Sequence, residues 1–351
     1  MNNCQQYKNG AYLAKYTATF AYGCAVSHIF FFIAGLVGNL LLCFTIVKNY
    51  KRAEIHEILL LNLAISDLLY AIVSFTVYVP IMLRKYQGKC PLIKSNNLVC
   101  RVSGGLPLYF GFANVYSLTL LAYVRYSIIV KRQPSRNFRN KIAYISVVWL
   151  IPAVLVIPHV MDIWGDFFFI ADLGMCAFID NYLFGSSSIS HFIVIALCGI
   201  AIPSNISFWC HMKIYLYVRQ NQKRINVATV RKAAGNSSNN QSQPTEQSLN
   251  STGISSARNK DIAVAITLTL MTLVYTISCL PYLAFIIIAF FDKPFSASTF
   301  QALSIGVHIS YIGTVANPII ILLRGKELNN YIKNCHMELI GSCNICSHHE
   351  L

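Results

Sequence analysis

The sequence predicts an all-α membrane protein: a seven-transmembrane helix bundle followed by a short amphipathic helix. Hydrophobic residues make up 55% of the 351 residues and charged residues only 12%, whereas a soluble domain carries about 25% charged residues. The mean hydropathy is +0.52. Seven apolar runs are each long enough to cross a bilayer, which takes about 20 residues. This composition excludes a disordered chain and is atypical of a soluble globular protein.

The seven apolar runs follow one another along the chain, separated by polar connections. In lipid every backbone polar group must be bonded within the protein, so a spanning segment is either a helix or a strand of a closed barrel. Barrel strands need only about 10 residues, and these runs are far longer, so we predict seven helices. Their predicted ranges are 22–47, 57–83, 98–124, 141–161, 188–215, 261–291 and 298–323.

The runs divide the chain into an N-terminal segment, residues 1–21, a membrane domain, residues 22–323, and a tail, residues 324–351. Within the membrane domain, residues 220–259 are rich in Ser, Asn and Gln and poor in apolar residues. This composition predicts a disordered cytosolic linker.

The tail carries the pattern of an amphipathic helix that could lie on the inner leaflet. Four of its residues fall on one helical face: Leu328, Tyr331, Ile332 and Cys335. Cys335 would then suit palmitoylation. A plain cytosolic tail with an ordinary cysteine is the alternative.

Basic residues divide unequally between the two sides of the predicted bundle. Of the 28 Lys and Arg residues, 20 belong to the loops after spans 1, 3 and 5 and to the tail. Cytosolic loops collect Lys and Arg, so we expect a multi-pass plasma-membrane protein with its N-terminus outside and its C-terminus in the cytosol. The net charge of +15 therefore reflects the lipid bilayer and does not indicate nucleic-acid binding.

Two loops on the predicted outer side carry opposite charge. The loop between spans 2 and 3 is basic, with Arg84, Lys85, Lys89, Lys94 and Arg101. The loop between spans 4 and 5 is acidic, with Asp162, Asp166, Asp172 and Asp180. The two loops could attract each other, or their charges could simply be solvated.

Cysteines on the predicted outer side face an oxidising compartment, where disulfides form. Cys100 opens span 3 and Cys176 lies in the loop before span 5, and we expect them to pair and tie this loop over the mouth of the bundle. Cys4 and Cys90 could form a second bridge, although sequence alone does not fix connectivity.

Four spans carry a polar residue at depth: Asn39, Asp67, Asn114 and Asn317. A carboxylate in hydrocarbon is costly and is functional by default. The three asparagines could hydrate Asp67 or share a cation with it. A purely structural hydrogen-bonded knot between helices is the alternative.

Arg125 and Tyr126 end span 3 at the predicted cytosolic face. The arginine could simply extend to the lipid headgroups. Pro203, Pro281 and Pro318 lie in spans 5, 6 and 7. Proline removes a helical hydrogen bond and kinks the helix, so three consecutive spans could pivot.

Together these features resemble the rhodopsin-like, or class A, G-protein-coupled receptors. The matching residues run in the family's order over nearly the whole chain, about residues 22–335, and Cys100 precedes Arg125 by the family's 25 residues. They are Asn39 in Gly-Asn, Asp67 in Leu-Ala-x-x-Asp, Cys100, Arg125-Tyr126, Trp149, Cys176, Pro203, Cys-Leu-Pro at 279–281 and Asn-Pro at 317–318.

The resemblance implies a receptor that binds an extracellular ligand at the mouth of the bundle and activates heterotrimeric G proteins. Spans 5 and 6 would swing outward at the cytosolic face and free Arg125 to contact the G protein. The resemblance also implies a sodium pocket, with Asp67 as its acid and Asn114 lining it, near Asn39 and Asn317. No other cofactor is implied.

The sequence departs from the family's pattern at the switch residues. Where the family usually has an acid before the arginine, this chain has Val124. Asp261, however, stands 20 residues before Pro281, where the family has a second restraining acid. We therefore expect an Arg125–Asp261 pair in the resting state. Three aromatic residues of the family are replaced, by Cys279, Ile321 and His211. The switch is thus built differently, or coupling is weak or lost.

Two further differences constrain the ligand. Amine receptors of this family carry an acid where this chain has Pro107, and opsins carry a lysine where it has Tyr311. The resemblance thus implies a ligand that is neither an amine nor retinal, either a peptide or a small molecule. Candidate pocket residues are Tyr78, Leu108, His191, Tyr282, His308 and Tyr311. The alternative is that most of them only pack helix against helix.

No catalytic motif appears in the sequence, so an enzyme is not expected. A seven-helix transporter is the other class of membrane protein to weigh. Transporters usually show inverted repeats and several charges within the membrane, and neither is evident here. A receptor is therefore the favoured interpretation.

Overall fold

The computed structural model describes residues 18–48, 53–87, 93, 98–133, 141–164, 167–170, 175–177, 193–235, 262–281, 283–284 and 297–324. Seven helices within these residues are long and apolar enough to cross a membrane. The predicted seven-helix fold is therefore confirmed, and the chain is a multi-pass membrane protein.

The helices reproduce the order of the predicted spans. They are α1 Ala18–Lys48, α2 Ile55–Tyr86, α3 Leu98–Ile129, α4 Lys141–Val160, α5 Ile202–Gly235, α6 Ile262–Pro281 and α7 Ala297–Arg324. A π-helical stretch, Ile195–Ala201, leads directly into α5.

Helix α5 continues well beyond the predicted span and corrects the linker prediction. Residues 220–235, expected to be disordered, are helical as far as Gly235. This part of the chain is rich in Gln, Lys, Arg and Ala, which favour helix. Residues 236–259 lie outside the described residues, as do the tail from residue 325 onward and Cys335 in its predicted amphipathic helix.

A small hairpin that the sequence did not predict lies between α4 and α5. Strand β1, Phe168–Ile170, pairs antiparallel with β2, Met175–Ala177, and places Phe169 opposite Cys176. Three-residue strands are too short to show the alternating pattern that identifies a strand.

The predicted disulfide joins this hairpin to α3. Cys100 and Cys176 are bonded, with their Cα atoms 5.4 Å apart. Gly104 permits the close approach, because a Cβ atom there would lie 2.5 Å from the carbonyl oxygen of Cys176. The pairing of Cys4 with Cys90 lies outside the described residues.

Among the described residues, one ion pair joins the two oppositely charged regions, at the start of α3 and the end of α4. Arg101 Nη1 lies 3.3 Å from Asp162 Oδ2 at the end of α4. The predicted attraction is therefore seen for this pair, although a partly exposed pair stabilises the fold by at most about 1 kcal/mol.

Helix α3 is the central element of the bundle. It packs against α2, α4, α5 and both strands, and its residues are buried along most of its length. An apolar cluster joins it to its neighbours through Leu63 of α2, Leu118 and Leu121 of α3, and Met271 of α6. Helix α1 is peripheral and turns Phe30, Val37 and Phe44 outward, as expected for a lipid-facing surface.

Candidate functional site

Asp67 is the centre of a polar cluster in the middle of the bundle. The Asn114 amide donates to Asp67 Oδ1 over 2.7 Å, and the Asn317 amide donates to Oδ2 over 3.0 Å. The hydroxyl group of Ser66 donates to the amide oxygen of Asn114. Asn39 donates instead to the backbone oxygens of Gly35 and Thr314, over 3.0 and 3.2 Å. The four predicted polar residues thus link α1, α2, α3 and α7.

The electrostatics of this cluster are unusual for a membrane interior. Asp67 is 0% exposed and forms no ion pair within the part of the chain that the structure describes. A buried carboxylate must be compensated by a proton or by a cation. The side-chain oxygens of Asn39 and Asn317 are buried without a hydrogen-bond partner among the described residues. The oxygen of Asn317, whose amide nitrogen bonds Asp67, is therefore an acceptor left over on a neighbour of the acid.

A second polar chain, which sequence reasoning missed, connects α2, α3 and α4. Trp149 Nε1 donates to Asn62 Oδ1 over 2.7 Å, and the Asn62 amide donates to Ser117 Oγ over 3.0 Å. Asn62 is a polar residue within an apolar run, the signal that identified Asp67 five residues later.

Arg125 lies inside the protein at the end of the bundle opposite the disulfide. Its side chain is only 2% exposed, so it does not extend to the headgroups. The preceding residue, Val124, packs in a cluster with Leu59 of α2 and Leu268 of α6. The following residue, Tyr126, packs with helices α5 and α6. Asp261, its expected partner, lies outside the described residues, one residue before the start of α6.

Tyr126 and Trp209 mark the contact of α3 with α5 at the same end. Their ring centroids are 4.8 Å apart. Cys210 and Ile214 of α5 pack in the cluster that contains Tyr126 and Ala265 of α6. The Arg125 end of the bundle is therefore a three-helix junction of α3, α5 and α6.

Pro203 lies two residues after the π-helical stretch Ile195–Ala201 that leads into α5. In a π-helix the N–H at residue 203 would bond to the carbonyl oxygen of Cys198, but proline has no N–H to donate. Tyr116 Oη of α3 donates to that oxygen over 2.7 Å. The single hydroxyl hydrogen of Thr119 is shared between Val115 O of its own helix, at 2.8 Å, and the carbonyl oxygen of Pro203, at 3.1 Å. Side chains of α3 thus satisfy backbone groups around the kink.

The other two predicted kink prolines occupy different settings. Pro281 lies in helical backbone at the disulfide end of α6. Pro318 lies within α7 and packs against α1.

Three of the six candidate pocket residues come together near the disulfide end of the bundle. Tyr78 of α2 and His308 of α7 have ring centroids 5.3 Å apart. Both contact His28 of α1, as does Tyr311, whose ring centroid lies 4.4 Å from that of His28. The ring of Tyr70 is tilted against that of Tyr311, with the ring centroids 5.0 Å apart. Sequence reasoning missed His28 and Tyr70, because a lone ring in an apolar run gives no sign of its tertiary neighbours.

The remaining candidates are separate from this aromatic group. Leu108 packs in another cluster, with Phe112, Val156 and Ile195. His191 and Tyr282 lie outside the described residues. Next to His308, an open apolar groove of about 300 Å³ lies between α1 and α7.

Comparisons with known proteins agree with this architecture. Residues 38–321 match the family model of the seven-transmembrane receptors of the rhodopsin family. The fold resembles squid rhodopsin, with a TM-score of 0.75 at 19% identity over 93% of this chain and 88% of that one.

Curated relatives match at low identity. A melatonin receptor type 1C of Xenopus laevis is 23% identical over 57% of this chain and 46% of its own length. A G-protein-coupled receptor homologue, K2, of swinepox virus is 27% identical over 56% of this chain and 52% of its own length. This chain thus spans about half the length of these relatives.

The family model covers most of the chain, including all seven spanning helices in whole or in part. The chain belongs to the rhodopsin family of seven-transmembrane receptors.

Proposed function

We propose that this receptor binds an extracellular ligand at the disulfide end of the bundle and activates heterotrimeric G proteins at the Arg125 end. The observation that carries the proposal is the burial of Arg125 at the junction of α3, α5 and α6. A guanidinium held inside the protein is costly. Separation of α5 and α6 from α3 would release it toward a partner.

The resting state is held by an ion pair between Arg125 and Asp261. Asp261 directly precedes α6, whose residues Ala265 and Leu268 pack in the clusters beside Arg125. Asp261→Ala is expected to raise basal nucleotide exchange, because the charged arginine loses the group that restrains it. Asp261→Glu, which keeps the charge, is the control. Unchanged basal exchange in Asp261→Ala would count against the pair.

The polar cluster around Asp67 binds a sodium ion. Hard cations prefer carboxylate and carbonyl oxygens, and the cluster offers Asp67 with the amide oxygens of its neighbours. Turning over the Asn317 amide, whose nitrogen and oxygen are assigned from the hydrogen-bond network, would bring its unpartnered oxygen to Asp67. A bound sodium ion would neutralise the carboxylate and stabilise the resting packing of α2, α3 and α7.

The ligand is a peptide or a small molecule that is neither an amine nor retinal. Position 107 of α3 is proline, and position 311 of α7 is a tyrosine engaged with His28 and Tyr70. The aromatic group of Tyr78, His308 and Tyr311 forms part of the site, together with Leu108, His191 and Tyr282. Ligand sites are mostly apolar with a few polar groups, as this group is. Several relatives are named melatonin receptors, which makes melatonin a first ligand to test.

A receptor-like protein with weak or lost G-protein coupling is the second candidate. The observation that favours it is the replacement of three of the family's aromatic switch residues by Cys279, Ile321 and His211.

Nucleotide exchange on a panel of purified G proteins separates the two candidates. The receptor in lipid nanodiscs is tested alone, with melatonin and with a mixed library of peptides and small molecules. Ligand-dependent exchange on at least one G protein is expected, and Arg125→Ala should abolish it. Ligand binding without exchange on any member of the panel would favour the second candidate.

A further inference from the structure

His211 connects α5 to α6 through both nitrogens of its ring. Nδ1 lies 2.8 Å from Thr269 Oγ1, and Nε2 lies 3.1 Å from Thr272 Oγ1. The two threonines are three residues apart and therefore lie on one face of α6. A single side chain thus makes two hydrogen bonds across the helix pair.

We infer that His211 is a positioning residue that holds α5 against α6 in the resting bundle. We call this set of His211, Thr269 and Thr272 the histidine latch. The inference rests on the proposed function, in which α5 and α6 leave α3. It adds that α6 moves farther than α5, so that the two helices also part from each other. It also gives a role to His211 as one of the three residues that replace the family's aromatic residues, because its imidazole bonds across the contact between α5 and α6.

Neutral histidine satisfies this geometry without a charge. The ring then has one N–H donor and one acceptor nitrogen. Each threonine hydroxyl group also lies near the carbonyl oxygen four residues earlier, at 2.8 Å from Ala265 O and 3.0 Å from Leu268 O. In either tautomer, one threonine donates to the ring. The other accepts from the ring and donates to its own helix, so both ring nitrogens are bonded.

The latch lies beside an apolar junction of α3, α5 and α6. The neighbouring Cys210 is fully buried, and Ile214, almost one turn further along α5, packs with Ala265 of α6 and with Ala122 and Tyr126 of α3. Water is scarce in such an apolar junction, so polar groups that part there would lose partners. Movement of α6 away from α5 at the Arg125 end must break both bonds.

The latch is tested by measuring the separation of α5 and α6 without any G protein. Spin labels are introduced as genetically encoded amino acids at the exposed positions 219 of α5 and 263 of α6, and their separation is measured by double electron–electron resonance in nanodiscs. His211→Phe keeps a ring but removes both bonds. Thr269→Val combined with Thr272→Val removes the same bonds from the other side and nearly preserves side-chain volume.

Both variants are expected to increase the population with the longer label separation. Interhelical hydrogen bonds within membranes support a change of roughly 3- to 20-fold in the ratio of separated to closed molecules. Thr267→Val is the matched control, because the Thr267 hydroxyl group donates to its own helix, to Ala263 O over 2.9 Å. It should leave the distance distribution unchanged. His211→Gln, which retains a donor and an acceptor, should restore much of the closed population.

Basal nucleotide exchange is the second readout and separates the two proposals. Exchange should rise by a similar factor in His211→Phe and in the double threonine variant. If the variants increase the label separation but no protein, wild type included, promotes nucleotide exchange, the latch is supported and the coupling proposal fails. If wild type promotes exchange but both variants keep the wild-type label separation, the latch is overturned. The threonine variant decides the matter should His211→Phe fail to fold.

Discussion

Asp67 governs the electrostatics of the bundle interior. Its carboxylate accepts two amide donors, from Asn114 and Asn317, and no cationic side chain pairs with it within the described residues. Amide donors reduce the cost of burying the acid but do not cancel its charge. A purely structural knot would need only these hydrogen bonds, whereas a cation site would also need the charge of the carboxylate.

Sodium is expected to stabilise the wild-type receptor and not Asp67→Asn. Potassium is replaced by sodium at constant ionic strength. A sodium concentration ten times the Kd adds about 1.4 kcal/mol to the free energy of unfolding, which is measured as a rise in Tm. Ser74→Ala, which changes another buried polar residue of α2, should keep the full response. Equal sodium-dependent shifts in wild type and Asp67→Asn would argue that the cluster is only structural.

At the scale of elements, two close approaches define how the helices fit. At the start of α5, Pro203 has no N–H to donate to the carbonyl oxygen of Cys198, and the Tyr116 hydroxyl group of α3 donates to it instead. Between α1 and α7, Gly38 faces Pro318 so closely that a Cβ atom there would lie 2.7 Å from the proline Cγ. At the first contact, a tyrosine of the neighbouring helix bonds the free carbonyl oxygen. At the second, a glycine of the neighbouring helix leaves room for the proline ring. The two contacts can be tested separately.

Tyr116→Phe is expected to lower the free energy of unfolding by about 1 kcal/mol, because it leaves the Cys198 oxygen without its donor. In a Pro203→Ala background the backbone regains an N–H, so the same change should cost less. Thermal unfolding of the four proteins in a double-mutant cycle measures this coupling. Tyr123→Phe, a partly exposed tyrosine on the same helix, is the control. Additive effects would contradict the link between Tyr116 and the proline.

Gly38→Ala is expected to lower the free energy of unfolding by about 1–3 kcal/mol, because the added methyl group forces α1 away from α7. Gly23 provides a matched control on the same helix, since a Cβ atom there meets nothing within 4 Å. Gly23→Ala should be neutral or stabilising by up to about 1 kcal/mol, because alanine favours helix. If Gly38→Ala and Gly23→Ala shift the melting temperature in the same direction and by the same amount, the close contact is refuted.

For the molecule as a whole, the sequence predicts what depends on length, hydropathy and chain order. The seven spans follow from apolar runs, and the bond of Cys100 to Cys176 follows from two cysteines on one side of the membrane. Contacts that depend on which helix faces which are not encoded in a local pattern. His28 among its tyrosines and the bridge from His211 to α6 are of this kind. The polar composition of residues 220–235 predicts disorder, but the helix-favouring residues among them continue α5 to Gly235.

The orientation of the whole bundle follows from charge alone and is open to a direct test. Because 20 of the 28 basic residues lie on the Arg125 side, that side is expected in the cytosol and the disulfide side outside the cell. An epitope tag before residue 1 should be stained in intact cells, and a tag after residue 351 only after permeabilisation. The opposite staining would contradict the charge rule and would move the ligand site into the cytosol. Both tags on one face would contradict an odd number of crossings and with it the seven-helix fold.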